Sequence, residues 1–438
     1  MSIIFDVVYV TALVFGSPYF FPKLILNERY RSGLAQRLGR VDTRRRAKPC
    51  IWIHCASVGE ILTIKALVNS IEKEFNYFDI VISTNTNTGL SVAEKYFRDK
   101  KIFYFPLDLS WVVNNVLNAI HPSYVILIEL EIWPNFLIAT AKKQIPVILL
   151  NARISEKSLK WYRILGKISK EFFQSLSNKK NIFCTRTRDD ATRLMNLGIA
   201  ETQISITGNM KFDNIVTAFS EDTKNCLLSL FEIEQDDKVV VCGSTHVGEE
   251  AILLRVFKQI NAKFNKLRLV LVPRHIERVN DIIKLIESSG LHYVRKTSLD
   301  KGIKIGDHKH KIVILVDTVG ELLNIYSIAN YVFVGKSLVP QGGQNIMEPA
   351  GLAKPIIVGP HTFNFTEEVQ LLKEANAIKI VQDESTLSNE LTYLLEHPYE
   401  AQELSNRAQF VVTKQMGATE RNLKVLRKIL LKERTVSV

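Results

Sequence analysis

The sequence predicts an α/β protein made of two doubly wound, Rossmann-like domains facing across a cleft, with an apolar segment in front of them. Three observations lead there. From Pro49 onward, short β-branched runs alternate with amphipathic stretches, the βαβ rhythm of parallel sheets covered by helices on both faces. The runs form two series separated by a polar interval between about Asn214 and Asp237. Ahead of both series, residues 7–22 carry no charge at all.

Composition narrows the function classes. A chain of 438 residues suits two or three domains, and 46% hydrophobic with 23% charged residues excludes both a single small module and a mainly disordered chain. The net charge of +12 favours an anionic partner without choosing among phosphorylated lipid, nucleotide and nucleic acid. Cys50, Cys55, Cys184, Cys226 and Cys242 are odd in number and form no CxxC pair, so a reducing compartment is expected and a disulfide framework or zinc site is not. HExxH is absent, and the one tight histidine pair, His308 and His310, sits in the polar run DHKHK, so no metal site is expected.

In chain order, residues 1–26 read as a membrane anchor. The uncharged run VVYVTALVFGSPYFFP continues past Lys23 into Leu24, Ile25 and Leu26 and is just long enough to span a bilayer, although Asp6, Pro18 and Pro22 argue against one clean helix through it. A signal peptide fits poorly, because nothing basic precedes the run and no small-x-small site follows it. Residues 27–48 form a basic collar. From Lys23 to Lys48, nine basic residues face only Glu28 and Asp42, which is more than half of the net charge of the chain. Such a surplus beside an apolar segment marks the cytoplasmic side and attracts anionic headgroups. The competing reading is a first core helix followed by a solvated basic linker.

The first series, within residues 49–220, runs through CIWIH, FDIVIST, KIFYFPLD, SYVILIE, PVILLNA, NIFCT and ISITG. The second, within residues 236–410, runs through KVVVCGS, LRLVLVP, KIVILVD, YVFVG and KPIIVGP. Residues 411–438 read as a C-terminal helix, apolar at Leu423, Val425, Leu426, Ile429 and Leu430, that packs back toward the first domain. Ligands of open parallel sheets bind beyond the carboxyl ends of the strands, and the polar clusters of this sequence fall there. Ser57 and Glu60 follow CIWIH, Glu129 and Glu131 close YVILIELE, and Asn209 with Lys211 follow ISITG. Glu129 and Glu131, two residues apart, are expected on one face of a strand, where carboxylates repel unless cations or hydroxyls neutralise them. A structural pair bound to backbone donors and Arg153 is the alternative for them.

The runs HCASVGE, ELEIWPN, NARISEKS, TGNMKFD, GSTHVGEE, VPRHIER, DTVGEL and GGQNIMEP occur in this order. Together they resemble the Kdo transferase family, the 3-deoxy-D-manno-octulosonic acid transferases of lipopolysaccharide assembly, over nearly the whole chain. The resemblance implies a GT-B glycosyltransferase at the inner membrane, with its catalytic domains on the cytoplasmic face. It implies transfer of Kdo from CMP-Kdo to the tetraacylated lipid A precursor, lipid IVA, with inversion, without a cofactor and without a metal in the transfer step. The implied partners are the lipid A precursor, CMP-Kdo and anionic inner-membrane lipid, and no nucleic acid.

By resemblance Glu60 is the general base, a task a carboxylate performs when burial lifts its pKa toward neutrality. Read without the family, it is a first-turn Glu facing a helix dipole. Glu129 and Lys211 match the positions that stabilise the transition state, and Glu131 is a possible support. Pro273 with Arg274, then Val319, Gly320 and Glu321, then Asn345, Ile346, Met347 and Glu348 match three CMP contacts; Arg274 suits phosphate and Glu348 the ribose hydroxyls. Ser244 and Thr245 offer hydroxyl donors, although a helix N-cap at Ser244 is equally compatible. His246 and His275 read as structural.

There are departures from the family pattern. Lys336 interrupts the glycine pair expected as VGGS, and residues 185–188 replace a more acidic stretch; neither is expected to touch an assigned residue. Two other functions compete. One is a GT-B enzyme with another nucleotide sugar, transferase or epimerase; the anchor and collar argue against an epimerase, which needs no lipid acceptor. The other is an inactive membrane-surface scaffold, against which the joint presence of Glu60, Glu129 and Lys211 argues. Nucleic-acid binding has only net charge in its favour, since the cations gather beside an apolar segment and do not interleave with stacking aromatics.

Overall fold

The β-branched runs become two sheets of seven parallel strands in the computed structural model, which describes residues 2–26, 31–45, 47–129, 131–164, 166–177, 180–306 and 312–431. His308 and His310 lie outside the described residues, as do Arg29 and Arg46 of the collar. The chain divides into two compact units, Met1–Asn214 with Met416–Val438, and Ile215–Gln415.

In the first unit the strands are β1 (Cys50–Cys55), β2 (Asp79–Thr84), β3 (Lys101–Tyr104), β4 (Tyr124–Ile128), β5 (Val147–Ala152), β6 (Ile182–Thr185) and β7 (Ile204–Ile206). Their order is β3-β2-β1-β4-β5-β6-β7, so the direction of winding reverses between β1 and β4, which pair in register from Ile51 with Tyr124 to His54 with Leu127. Every residue of β1, β4 and β5 is buried, because helices cover both faces. This explains why these strands read as continuous apolar runs and not as alternating ones.

The second unit repeats the plan with β8 (Lys238–Thr245), β9 (Leu267–Pro273), β10 (His292–Arg295), β11 (Ile312–Leu315), β12 (Tyr331–Val334), β13 (Ile356–Val358) and β14 (Lys379–Ile380). The order is β10-β11-β9-β8-β12-β13-β14, and the reversal lies between β8 and β12. In such sheets the crevice for a ligand opens at the reversal, beyond the carboxyl ends of the two strands.

The division between units falls at Asn214, earlier than residue 220, because the chain just beyond it packs in the second unit. A Cβ on Gly351 would stand 2.5 Å from Ile215 and 2.7 Å from the carbonyl of Val216, and the Gln409 amide donates to the carbonyls of Thr217 and Gly351. The last helix, Ala418–Leu430, belongs to the first unit. Asp213 accepts the N–H groups of Gly417, Ala418 and Thr419 at its start, and Leu423, Leu426 and Leu430 join the core around Ile51 and Ile53.

The N-terminal segment forms one helix, Ser2–Leu26, which the prolines do not interrupt. Pro18 lacks the N–H that would bond the carbonyl of Val14, and the Ser17 hydroxyl donates to that carbonyl at 2.7 Å in its place. The helix is not, however, long and apolar enough to cross a membrane, and neither is any other helix among the described residues.

Candidate active site

Glu60 is placed by a capped turn immediately after β1. Ser57 caps the helix Val58–Thr63, its hydroxyl oxygen accepting the Glu60 N–H, and the Ser-x-x-Glu spacing turns the Glu60 side chain back over the helix start. There Oε2 accepts the Ala56 N–H at 2.8 Å and Oε1 accepts the Ser57 hydroxyl at 2.9 Å. The residue is 7% exposed. Burial pushes its carboxyl pKa up to about 7; the Ala56 N–H and Ser57 hydroxyl pull the other way, while the charges of Glu129 and Glu131 add to the rise. Burial raises the Cys55 thiol at the end of β1, and the same three carboxylates add to the rise.

Glu129 and Glu131 do not share a strand face. β4 ends at Ile128, and Glu129 takes a left-handed φ of +62°, which breaks the pleat while its N–H still donates to the Leu150 carbonyl at 2.9 Å. A non-glycine residue held there is strained and persists only where its surroundings impose it. Its side chain is held by charge: Oε1 of Glu129 takes Lys211 Nζ at 2.7 Å and Arg186 Nη2 at 2.6 Å. The expectation that residues 185–188 touch no assigned residue is therefore corrected by Arg186, whose guanidinium reaches Glu129 from the end of β6.

Glu131 is held by different partners. The Trp133 indole N–H donates to its Oε2 at 2.8 Å, and His54 Nε2 lies 3.4 Å from the same oxygen. His54 is fully buried, stacked on Phe105 with centroids 3.9 Å apart, and its Nδ1 stands 3.0 Å from the Ser83 hydroxyl. Burial alone would raise the Glu131 carboxyl, but His54, Trp133 and Asn85 outweigh it and hold the group below the usual carboxylate range. Neither Arg186 nor His54 carries an assigned role in the sequence motifs. The available signal was position: His54 lies in HCASVGE, and Arg186 directly follows a strand.

In the second unit Ser244 and Thr245 close β8. Ser244 takes a φ of +55° and its carbonyl lies 3.1 Å from His246 Nδ1; it does not cap a helix, since the next one, Glu249–Asn261, begins at Gly248. The buried Thr245 hydroxyl has no hydrogen-bond partner among the described residues. Arg274 is exposed, and its N–H donates to the Thr245 carbonyl at 3.1 Å, which brings Pro273 and Arg274 beside Thr245. Glu249, fully buried, clamps the loop after β12: its carboxylate accepts the N–H groups of His246, Lys336, Ser337 and Leu338 at 3.0, 2.6, 2.9 and 2.9 Å. Lys336 thus occupies its glycine-like position, φ +62°, through its backbone.

Asn345 and Glu348 are brought together, the Asn345 amide donating to Glu348 Oε1 at 3.0 Å while Asn345 Oδ1 accepts the Met347 N–H at 3.0 Å. Burial raises the Glu348 carboxyl. Ile346 and Met347 are buried, and the Met347 N–H is already taken by Asn345. Glu321 is tied to Thr318 at 2.8 Å and to Lys296 at 3.1 Å, beside the exposed Val319 and the left-handed Gly320.

Residues 32–214 match the family model described as 3-Deoxy-D-manno-octulosonic-acid transferase (kdotransferase). The chain is 32% identical over 409 residues to the 3-deoxy-D-manno-octulosonic acid transferase of Haemophilus influenzae, covering 93% of each protein. It is 27% identical to the enzyme of the same name from Chlamydia muridarum over 90% of each. Among solved structures, the UDP-GlcNAc 2-epimerase of Neisseria meningitidis bound to UDP-GlcNAc is 14% identical, with a TM-score of 0.56 over 86% of this chain and all of that one, a likeness of fold. With a relative this similar along almost its full length, the chain belongs to the 3-deoxy-D-manno-octulosonic acid (Kdo) transferase family.

Proposed function

We propose that this chain is an inverting glycosyltransferase that moves Kdo from CMP-Kdo to the lipid A precursor lipid IVA in lipopolysaccharide synthesis, with Glu60 as general base. The observation that carries this reading is a buried carboxyl, its pKa pushed up to about 7, at the reversal point of the first sheet. A base is most effective when its pKa lies near the working pH. In the reaction, Glu60 takes the proton of the acceptor hydroxyl as that oxygen bonds the anomeric carbon of Kdo. The bond from that carbon to the CMP phosphate oxygen breaks, and the electron pair leaves with CMP. Lys211 and Glu129 flank the charge that develops, the ammonium meeting the anion of the donor.

In the second unit, Arg274, Ser244 and Thr245 suit the phosphate, and Glu348, fixed by Asn345, suits the ribose hydroxyls. Val319, Gly320 and Glu321, with the turn at Ile346 and Met347, complete the proposed CMP contacts.

The N-terminal helix is proposed to lie in the membrane interface and not to span it. Ile3, Val7, Val14 and Phe15 are 60–82% exposed, while Asp6 is hydrogen-bonded to the first unit. The exposed collar residues Arg31, Arg40, Arg45 and Lys48 add attraction to anionic lipid, on the cytoplasmic face of the inner membrane.

The test is to incubate the protein with lipid IVA and CMP-Kdo in the presence of chelator and weigh the acceptor by mass spectrometry. A gain of whole Kdo units is expected. CMP binding without a mass gain would point to another donor or acceptor, and neither binding nor transfer would favour the scaffold.

A further inference from the structure

Four strand ends meet around Glu129, and two of the residues there lack a role in the proposed chemistry. Asn151, at the end of β5, is fully buried with a left-handed φ of +57°. Its carbonyl accepts Arg186 Nε at 3.2 Å, and its side-chain Oδ1 accepts the Met210 N–H at 3.0 Å. Met210 immediately precedes Lys211 and opens the 3-10 turn Met210–Asn214 that carries it. Arg186 is 8% exposed, its own N–H donates to the Ala152 carbonyl at 3.1 Å, and its Nη2 reaches Oε1 of Glu129. Lys211, on that same oxygen, has a side chain 45% exposed.

The chemistry separates the two cations. One carboxylate bears one negative charge, so a lone lysine on Glu129 would be neutralised by it. With Arg186 present, the group of three keeps a surplus positive charge, and the exposed member of the pair can turn toward a ligand while the buried one stays. A guanidinium suits the fixed task, because its planar fork bonds two acceptors at set angles.

We infer that Arg186 is the resident counter-ion of Glu129 and, with Asn151, the brace of the turn bearing Lys211, so that the Lys211 ammonium is released to an anionic donor. Arg186 is a positioning residue in this scheme, and the inference rests on the reading of the site as a Kdo transferase. Besides burial, the groups that bear on the titration of Glu60 are the Ala56 N–H, Glu129 and Glu131 beyond β4, and the Ser57 hydroxyl; the Cys55 thiol on β1 lies beside the same carboxylates. Arg186 and Lys211 act on Glu60 through Glu129, and His54 through Glu131.

The experiment compares wild type with Arg186→Gln and Arg186→Lys in Kdo transfer across pH, together with CMP affinity and circular dichroism. Removing the cation leaves Glu129 less neutralised, which makes Glu60 harder to ionise. For R186Q, kcat is expected to fall about tenfold or more. The midpoint of the acid limb is expected to rise by roughly half a pH unit or more. CMP affinity should stay unchanged. R186K, which keeps the charge but not the bond to Asn151, should return the midpoint to the wild-type value with only part of kcat. A folded R186Q with wild-type kcat and midpoint overturns the inference. If R186Q does not fold, R186K decides: a midpoint displaced despite the retained charge overturns the inference, and an unmoved midpoint with reduced kcat supports it. Wild-type protein that transfers no Kdo would overturn the functional reading itself, an outcome visible before any variant is compared.

Discussion

Oδ1 of Asp6 accepts the backbone N–H of Ser110 at 2.8 Å while Oδ2 accepts the Ser110 hydroxyl at 2.6 Å, so one carboxylate of the N-terminal helix is bound twice by a single residue of the first unit. The Asn135 amide adds a third bond to Oδ1 at 3.0 Å, and Phe5 meets Phe172 edge-on nearby. The helix is therefore docked by one side, while Ile3, Val7, Val14 and Phe15 remain exposed. Asp6→Ala would strand these donors and should destabilise the first unit by about 1–3 kcal/mol. Urea unfolding, followed through a probe in that unit, measures it.

The outward side of the helix makes a separate prediction. Val7→Glu combined with Val14→Glu places two charges where the proposed bilayer contact lies and should weaken binding to anionic vesicles by about tenfold or more. Sedimentation with vesicles reads this, and CMP affinity of the same variant should equal that of wild type. Undiminished vesicle binding would remove the helix from membrane attachment.

Glu60 must be ionised to act as a base, so transfer should be lost as pH falls through about 7 and reach a plateau above it. Its effect on stability has the opposite sign. A carboxyl whose pKa is raised in the folded state favours folding fully below its unfolded value near 4.5, and that contribution disappears as pH rises through about 7. Glu60→Gln should abolish transfer. Relative to wild type, it should gain on the order of 1–3 kcal/mol in stability between pH 5 and pH 8. A pH series of urea melts and a pH–rate profile test the two halves independently.

Glu249 predicts a structural lesion in the second unit. All four N–H groups it accepts come from His246 and the loop after β12. Glu249→Gln turns a donor toward two of them and should cost about 2–4 kcal/mol, with a loss of CMP affinity of about tenfold. Calorimetric titration with CMP checks this; unchanged affinity would detach the loop from nucleotide binding.

Position in the sequence says a good deal about where these side chains stand. The apolar runs mark their own strands, and a carboxylate or cation directly after a buried strand lies where ligands of parallel sheets bind. That places Glu60, Glu129, Glu131 and Lys211 at strand ends, while their expected roles come from the resemblance to the family. Ser57 three residues before Glu60 even marks the helix start. The pairing of Glu129 with Arg186 was not readable, because 57 residues separate the two and nothing local to either specifies the other. The left-handed turns at Glu129, Asn151 and Ser244 were equally silent, since a non-glycine residue adopts them only under outside constraint.

By itself, then, the sequence determined the two series of parallel strands, the order of the polar strand ends and the charge-free segment followed by its basic collar. These follow from hydrophobic periodicity and from residues close together in the chain. Only the tertiary structure decided that β4 breaks at Glu129, that Arg186 and Lys211 share one oxygen, and that Asp6 ties the N-terminal helix to Ser110. Each of those depends on which strands lie side by side and on how deeply a charge is buried. Sheet order and desolvation are properties of the packed chain, and no stretch of sequence contains them.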